Sequence, residues 1–164
     1  MSIAQAMLAE FEHEAKTTRK FLERVPQDKL GWRPHEKSHT AGELALHIAS
    51  VPAGVVQSAS LDQSPLPDFD TLFKQPQTTQ QILAALDRSV EVVRRELPKF
   101  DDARLRQTWS GTVSGKPVVT MPRADFLRFI LMNHWVHHRG QLGVYLRLLG
   151  AKVPSSYGPS ADEQ

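Results

Sequence analysis

Cysteine is absent from the 164 residues. That excludes disulfides, thiolate metal ligands and a cysteine nucleophile, so any metal must be held by nitrogen and oxygen. Long apolar runs are missing too. Met1 to Glu14 carries acids and no uninterrupted hydrophobic stretch, so it reads as neither a signal peptide nor a membrane span. A soluble, cytoplasmic protein is the expectation. Charge of one sign is scarce: twenty Lys and Arg against eighteen Asp and Glu leave only +2, with the basic residues scattered. Despite a pI of 9.0, nucleic acid is not an expected partner, because neutralising phosphates needs a clustered basic face.

The apolar material present suffices for one domain over residues 1–164. With 40% hydrophobic and 23% charged residues, such a chain buries roughly two-thirds of its unfolded surface. Hydrophobic residues first recur with helical spacing from about Ile3 to Val25, where Met7, Phe11, Ala15, Thr18, Leu22 and Val25 share one face. Thr40 and Glu43 have the spacing of a capping box, in which two side chains satisfy the free amides of a helix start. The helix they open carries Leu44, Ile48, Val51 and Val55. Pro52 within it removes the amide that would bond the carbonyl of Ile48, which predicts a kink or an early stop. Leu61 to Pro76 holds Pro65, Pro67 and Pro76 and reads as a surface loop. A third helix follows the candidate box Thr78 and Gln81, with Leu83, Leu86, Val90, Val93 and Leu97 in phase and Pro98 as its stop. Between Leu105 and Val119 the pattern shifts to a short hairpin around Ser114-Gly115. The last helix runs from about Pro122 to Leu149, with Gly150 as its cap. Four such segments with long connections predict an all-α four-helix bundle.

Chemistry concentrates on the last helix. Leu127, Leu131, His134, His138, Gln141, Tyr145 and Leu148 are spaced alternately by four and three, a heptad seam expected to face the other helices. An unpartnered imidazole or amide buried there costs a few kcal/mol, about 1–3 by mutational measures. A divalent metal would satisfy the pair His134 and His138, since histidines at i and i+4 project from one face. His137 lies about 100° round the helix from His138 and points to the edge of the stripe, although an i, i+3 pair also chelates. Arg128 and Arg139 fall on the far, solvent side. Gln141 suits a hydrogen bonder to a ligand more than a ligand.

A third ligand must come from elsewhere, and His47, beside Leu44, Ile48 and Val51, is the best placed. His13 sits among charges and reads as solvated, while His35 and His39 lie in a loop and stay open as candidates. Glu14, at the margin of the first helix's buried face, either borders the site or is a solvated acid, the simpler of the two. Trp32, Trp109 and Trp135 read as packing or pocket-wall aromatics.

The segment Asn133-His134-Trp135-Val136-His137-His138-Arg139-Gly140-Gln141-Leu142 resembles the last-helix signature of the DinB/YfiT-like superfamily, damage-inducible metal-binding bundles unrelated to the DNA polymerase sharing the name. Trp32-Arg33-Pro34 followed by Gly42-Glu43-Leu44-Ala45-Leu46-His47-Ile48-Ala49 is similar to the family's first histidine segment. Val153-Pro154 through Tyr157-Gly158-Pro159-Ser160-Ala161-Asp162 is similar to the tail of one branch. The resemblance implies an up-down-down-up bundle, a homodimer, and a nickel, zinc or similar ion held by His47, His134 and His138. Some relatives are thiol-dependent transferases or isomerases that use low-molecular-weight thiols. The expectation is therefore a metal-dependent thiol S-transferase or hydrolase acting on a small electrophile. Its competitor is a non-enzymatic metal- or ligand-binding stress-response dimer. No general base can be named from the sequence.

Overall fold

The computed structural model describes residues 1–163. Four long helical segments supply most of the chain: α1 (Ile3–Glu23), α2 (Ala41–Ser60), α4 (Thr79–Glu96) and a last, continuous helix. The last one begins as α6 (Arg123–Phe126), widens into a π-helical stretch (Leu127–His134) and ends as α7 (Trp135–Leu148). Shorter pieces are β1 (Gln63–Pro65), α3 (Phe69–Leu72), α5 (Asp102–Arg106), β2 (Thr108–Val113) and β3 (Lys116–Pro122). The chain is therefore mostly helical but not all-α. A three-stranded sheet in the order β1-β2-β3 lies against the helices, with β1 parallel and β3 antiparallel to β2.

The expected boundaries have visible causes. The amide of Glu43 donates to Thr40 Oγ1 at 3.0 Å and the amide of Thr40 to Glu43 Oε2 at 2.7 Å, completing the capping box. Thr78 caps α4 through the Gln81 amide, while the Gln81 side chain accepts from Gln77 instead. The hairpin turns at Ser114-Gly115, both with positive φ, as a tight two-residue connection requires. Gly150 closes α7 at φ +71, with Ala151 N bonding Leu146 O and Gly150 N bonding Arg147 O. The stretch read as a loop, 61–76, instead contains β1 and α3. Three residues ending in a proline carry no local strand signal, and β1 exists only because β2, far along the chain, pairs with it.

Pro52 neither stops α2 nor leaves a carbonyl bare. The helix runs through it to Ser60, and the Ile48 carbonyl that loses its helical donor accepts the Trp135 indole N–H at 2.8 Å instead. Trp135 is 1% exposed and its ring stacks on Phe11 of α1 at 4.9 Å. One turn on, Arg139 bonds Glu14 Oε2 at 2.5 Å and Thr18 Oγ1 at 3.2 Å, all three buried. A further turn on, a Cβ on Gly143 would lie 3.1 Å from the Phe21 ring, so glycine lets the two helices approach. Three levels thus lock α7 to α1.

The buried line of α7 is Trp135, Arg139, Leu142 and Leu146, one residue later than the seam expected through His134, His138, Gln141 and Tyr145. The π-helical stretch is the reason. Bonds of i→i+5 type put an extra residue into the turn and advance the phase of everything after it. Leu148 consequently stands 60% exposed. Arg139 and Glu14, both expected in solvent, are a buried ion pair, and Arg128 alone of the two arginines stays on the surface, clamping Glu10.

Trp135→Phe should lower the unfolding free energy by about 2 kcal/mol, since a buried carbonyl loses its donor. Adding Pro52→Ala should recover part of that loss by restoring an amide at position 52. A double-mutant cycle in denaturant measures the coupling, and additive effects would show that Pro52 and Trp135 do not share the carbonyl.

A candidate three-histidine metal centre

Ile48 and Trp135 each have a histidine as their preceding neighbour, so the bond between them also brings His47 and His134 together. The ring centroids of His47, His134 and His138 lie 5.5 Å (His47 to His134), 4.8 Å (His47 to His138) and 4.3 Å (His134 to His138) apart, each pair near perpendicular. One ring nitrogen from each falls within 4.8 Å of the others. The Nε2 atoms of His134 and His138 are 3.0 Å apart. Ligand nitrogens about 2.1 Å from a common ion are roughly 3.0–3.4 Å apart, so these donors need little movement to share one.

Second partners fix two of the rings. His138 Nδ1 meets Gln141 Oε1 at 2.7 Å, which holds the proton on Nδ1 and leaves Nε2 as a lone pair. The backbone of Leu72 bonds the His47 ring, while His47 Nε2 is buried with no partner, as is His134 Nδ1. Burial, reinforced by the neighbouring histidines, pushes His47 and His134 down to about 4 and lowers His138 less sharply, opposed by Gln141. All three are neutral at neutral pH, the state in which imidazole binds a metal. A cluster of neutral imidazoles with two ring nitrogens left unpartnered fits a divalent cation and gives no anchor to an anion.

Other histidines stand apart. His137 is exposed, its ring 5.2 Å from that of His138 and outside the cluster, so the structure groups His134 with His138 as helical phase expected. His13 is exposed, and His35 only accepts from the Lys37 amide. His39 comes nearer, through a residue no sequence pattern singled out. Phe73 stacks on His47 at 4.2 Å on one face and on His39 at 3.4 Å on the other, forming a three-ring sandwich over the cluster. Tyr145 donates to the His39 carbonyl at 3.3 Å and meets Trp32 edge-on. Glu14, tied to Arg139, takes no part. Trp109 stacks on Phe126 at 3.7 Å and donates to Ser58 O, so the tryptophans are packing and wall residues as expected.

On its other side the cluster adjoins a cleft of about 670 Å³ between α2, the sheet, α3 and the π-helical stretch. His47 and His134 form one end of it, and Val55, Leu66, Trp109 and Ile130 are among its walls. Arg123, 0% exposed, braces the far end. Its guanidinium donates to the carbonyls of Ala59, Leu61 and Arg104 and to Asp62, taking over the open end of α2. Neither cleft nor brace was legible in the sequence, because both are assembled from segments far apart in it.

A helical protein with an open-sided histidine cluster beside an apolar cleft defines the class. The sequence model of the DinB family matches residues 1–164, and the chain belongs to that family. It is 27% identical over 158 residues to the uncharacterized protein YrdA of Bacillus subtilis, covering 95% of this chain and 89% of that one. Two solved DinB-like proteins share the fold. One, from Bacillus cereus, has a TM-score of 0.72 at 24% identity over 93% of this chain and 97% of its own. The other, YjoA of Bacillus subtilis, has 0.69 at 18% over 97% and 99%.

The depressed histidines make the metal-free protein acid-sensitive. Below the unfolded value of about 6.5 the unfolded chain takes up protons that the folded cluster refuses until about pH 4. Stability is complete above that range and falls as pH drops through it. In chelator, the denaturation midpoint should decline between pH 7.5 and 5.5, and less steeply in His47→Gln; a flat profile would contradict the assigned protonation.

Proposed function

We propose that this DinB-family chain is a metal-dependent enzyme in which His47, His134 and His138 hold one divalent ion, nickel or zinc, and that it acts on a small electrophilic molecule by thiol transfer or hydrolysis. The orphaned Nε2 of His47, buried and aimed among two further neutral imidazoles, carries the reading. With three protein ligands a divalent ion keeps open positions, and it supplies Lewis-acid activation of a water or thiol and of the electrophile. Gln141 and the Leu72 backbone would orient two of the ligands, and Phe73 would shield the cluster from solvent on its stacked side. We further read the four long helices as an up-down-down-up bundle, one domain over 1–164, working as a cytoplasmic homodimer. A low-molecular-weight thiol is the proposed second substrate.

Elemental analysis should find close to one divalent ion per chain, largely lost in His134→Ala or His138→Ala and retained in His137→Ala. Equal metal content in the first two variants would sink the ligand set. The metallated protein should then turn over electrophiles with bacillithiol, mycothiol or glutathione, or hydrolyse them. A fully loaded protein inert across that screen would favour a non-enzymatic metal- or ligand-binding dimer of the stress response.

A further inference from the structure

The cleft has a chemistry of its own. Among the described residues lining it, His47 and His134 are the only ionisable side chains, and the proposed metal site claims both. Away from the metal proposed at its histidine end, a carboxylate or phosphate in the cleft would shed water and meet no cationic side chain of the described lining, and an ammonium would meet no carboxylate. Its other polar side chains are few, Gln57 and the hydroxyls of Ser50, Ser58 and Ser64. Ser50 Oγ already donates to Leu46 O, and Ser64 Oγ is buried and contacts Pro65 O at 3.5 Å. The nearby guanidiniums are also committed, Arg104 and Arg123 both to Asp62 and to backbone carbonyls. Most of the wall is the apolar surface of valines, leucines, Met121, Ile130 and the stacked pair Trp109 and Phe126.

We propose that this cleft is the chamber for a neutral, predominantly apolar substrate whose reactive end meets the histidine cluster, and that Gly54 sets the length of molecule it accepts. The proposal rests on the metal-centre reading for the reactive end and on the cleft alone for the substrate's chemistry. Glutathione and bacillithiol carry carboxylates, so they do not fill this chamber; the electrophile does, and any thiol must approach from elsewhere. A volume of about 670 Å³ is in the range of small-molecule sites.

Gly54 lies on the same face of α2 as His47, seven residues on, which is roughly 10 Å along a helix. A substrate spanning that distance has the length of two fused rings or an eight-carbon chain. Glycine mid-helix is conformationally costly, yet a Cβ at Gly54 would meet nothing within 4 Å. No packing contact demands glycine there, and a larger side chain would project into the chamber without disturbing the helix.

The test uses the full chain, metal-loaded and in chelator, titrated with the neutral fluorophore N-phenyl-1-naphthylamine. Both forms should bind it with a fluorescence rise. Gly54→Leu should weaken binding at least about tenfold, a change in Kd large enough to read directly, with Gly54→Ala intermediate and metal content and thermal midpoint retained in both. Glutathione at millimolar concentration should not displace the probe from the metal-free protein, where no ion can draw its thiol. Absence of binding by the parent protein, equal binding by Gly54→Leu, or displacement by glutathione from the metal-free protein would each overturn the proposal. Gly54-dependent binding in a protein that takes up no metal would instead defeat the metal-centre reading and leave the chamber standing.

Discussion

A proline inside a helix leaves one carbonyl without its amide donor, and in α2 that carbonyl belongs to Ile48. Because it is buried, leaving it unpaired would cost more than an average hydrogen bond contributes. The Trp135 indole supplies the missing N–H, and this single bond sets how the last helix lies on α2. Trp135 also stacks on Phe11, so the same side chain locates α1. The two histidines that precede the bonded residues, His47 and His134, are then neighbours by necessity. His138 follows one turn later on the same face.

Phase matters as much as contact. The π-helical stretch before Trp135 advances the helix by one residue, which turns Arg139 into the core and moves the histidine line to its flank. On that flank the cluster can have both an apolar neighbour and an open side. Had the seam kept its register, the imidazoles would have faced the packed centre, closed to any substrate. The buried Arg139 and Glu14 follow from the same shift. Their desolvation is offset by mutual bonding and by Thr18, and removing either would strand a charge.

Periodicity therefore revealed the helices, the capping box at Thr40, the cap at Thr78 and the grouping of His134 with His138 rather than His137, because each depends on residues close in sequence. It misplaced Arg139, Glu14 and Leu148, because a π-helical turn has no marker in a pattern of threes and fours. It missed β1, whose partner strand lies over forty residues away. Phe73 escaped too: a phenylalanine in a proline-rich stretch gives no hint that it will stack between two histidines. His47 was reachable only as the best of several histidines until the resemblance gave it a warrant.

The two halves of the site are built from different materials, and this bears on how such a protein diversifies. The histidines stand on long helices held by the Trp135 bond and the Arg139 pair, where a shift of one residue would dismantle the cluster. The cleft is walled by β1, α3, the hairpin, one face of α2 and the π-helical stretch. Substitutions such as a larger residue at Gly54 can reshape that interior while leaving the helical contacts intact. A chain with this fold can accordingly keep its histidine cluster while the cavity beside it changes. The absence of charge in this chamber is then a property of this chain's own walls, separable from the cluster beside it.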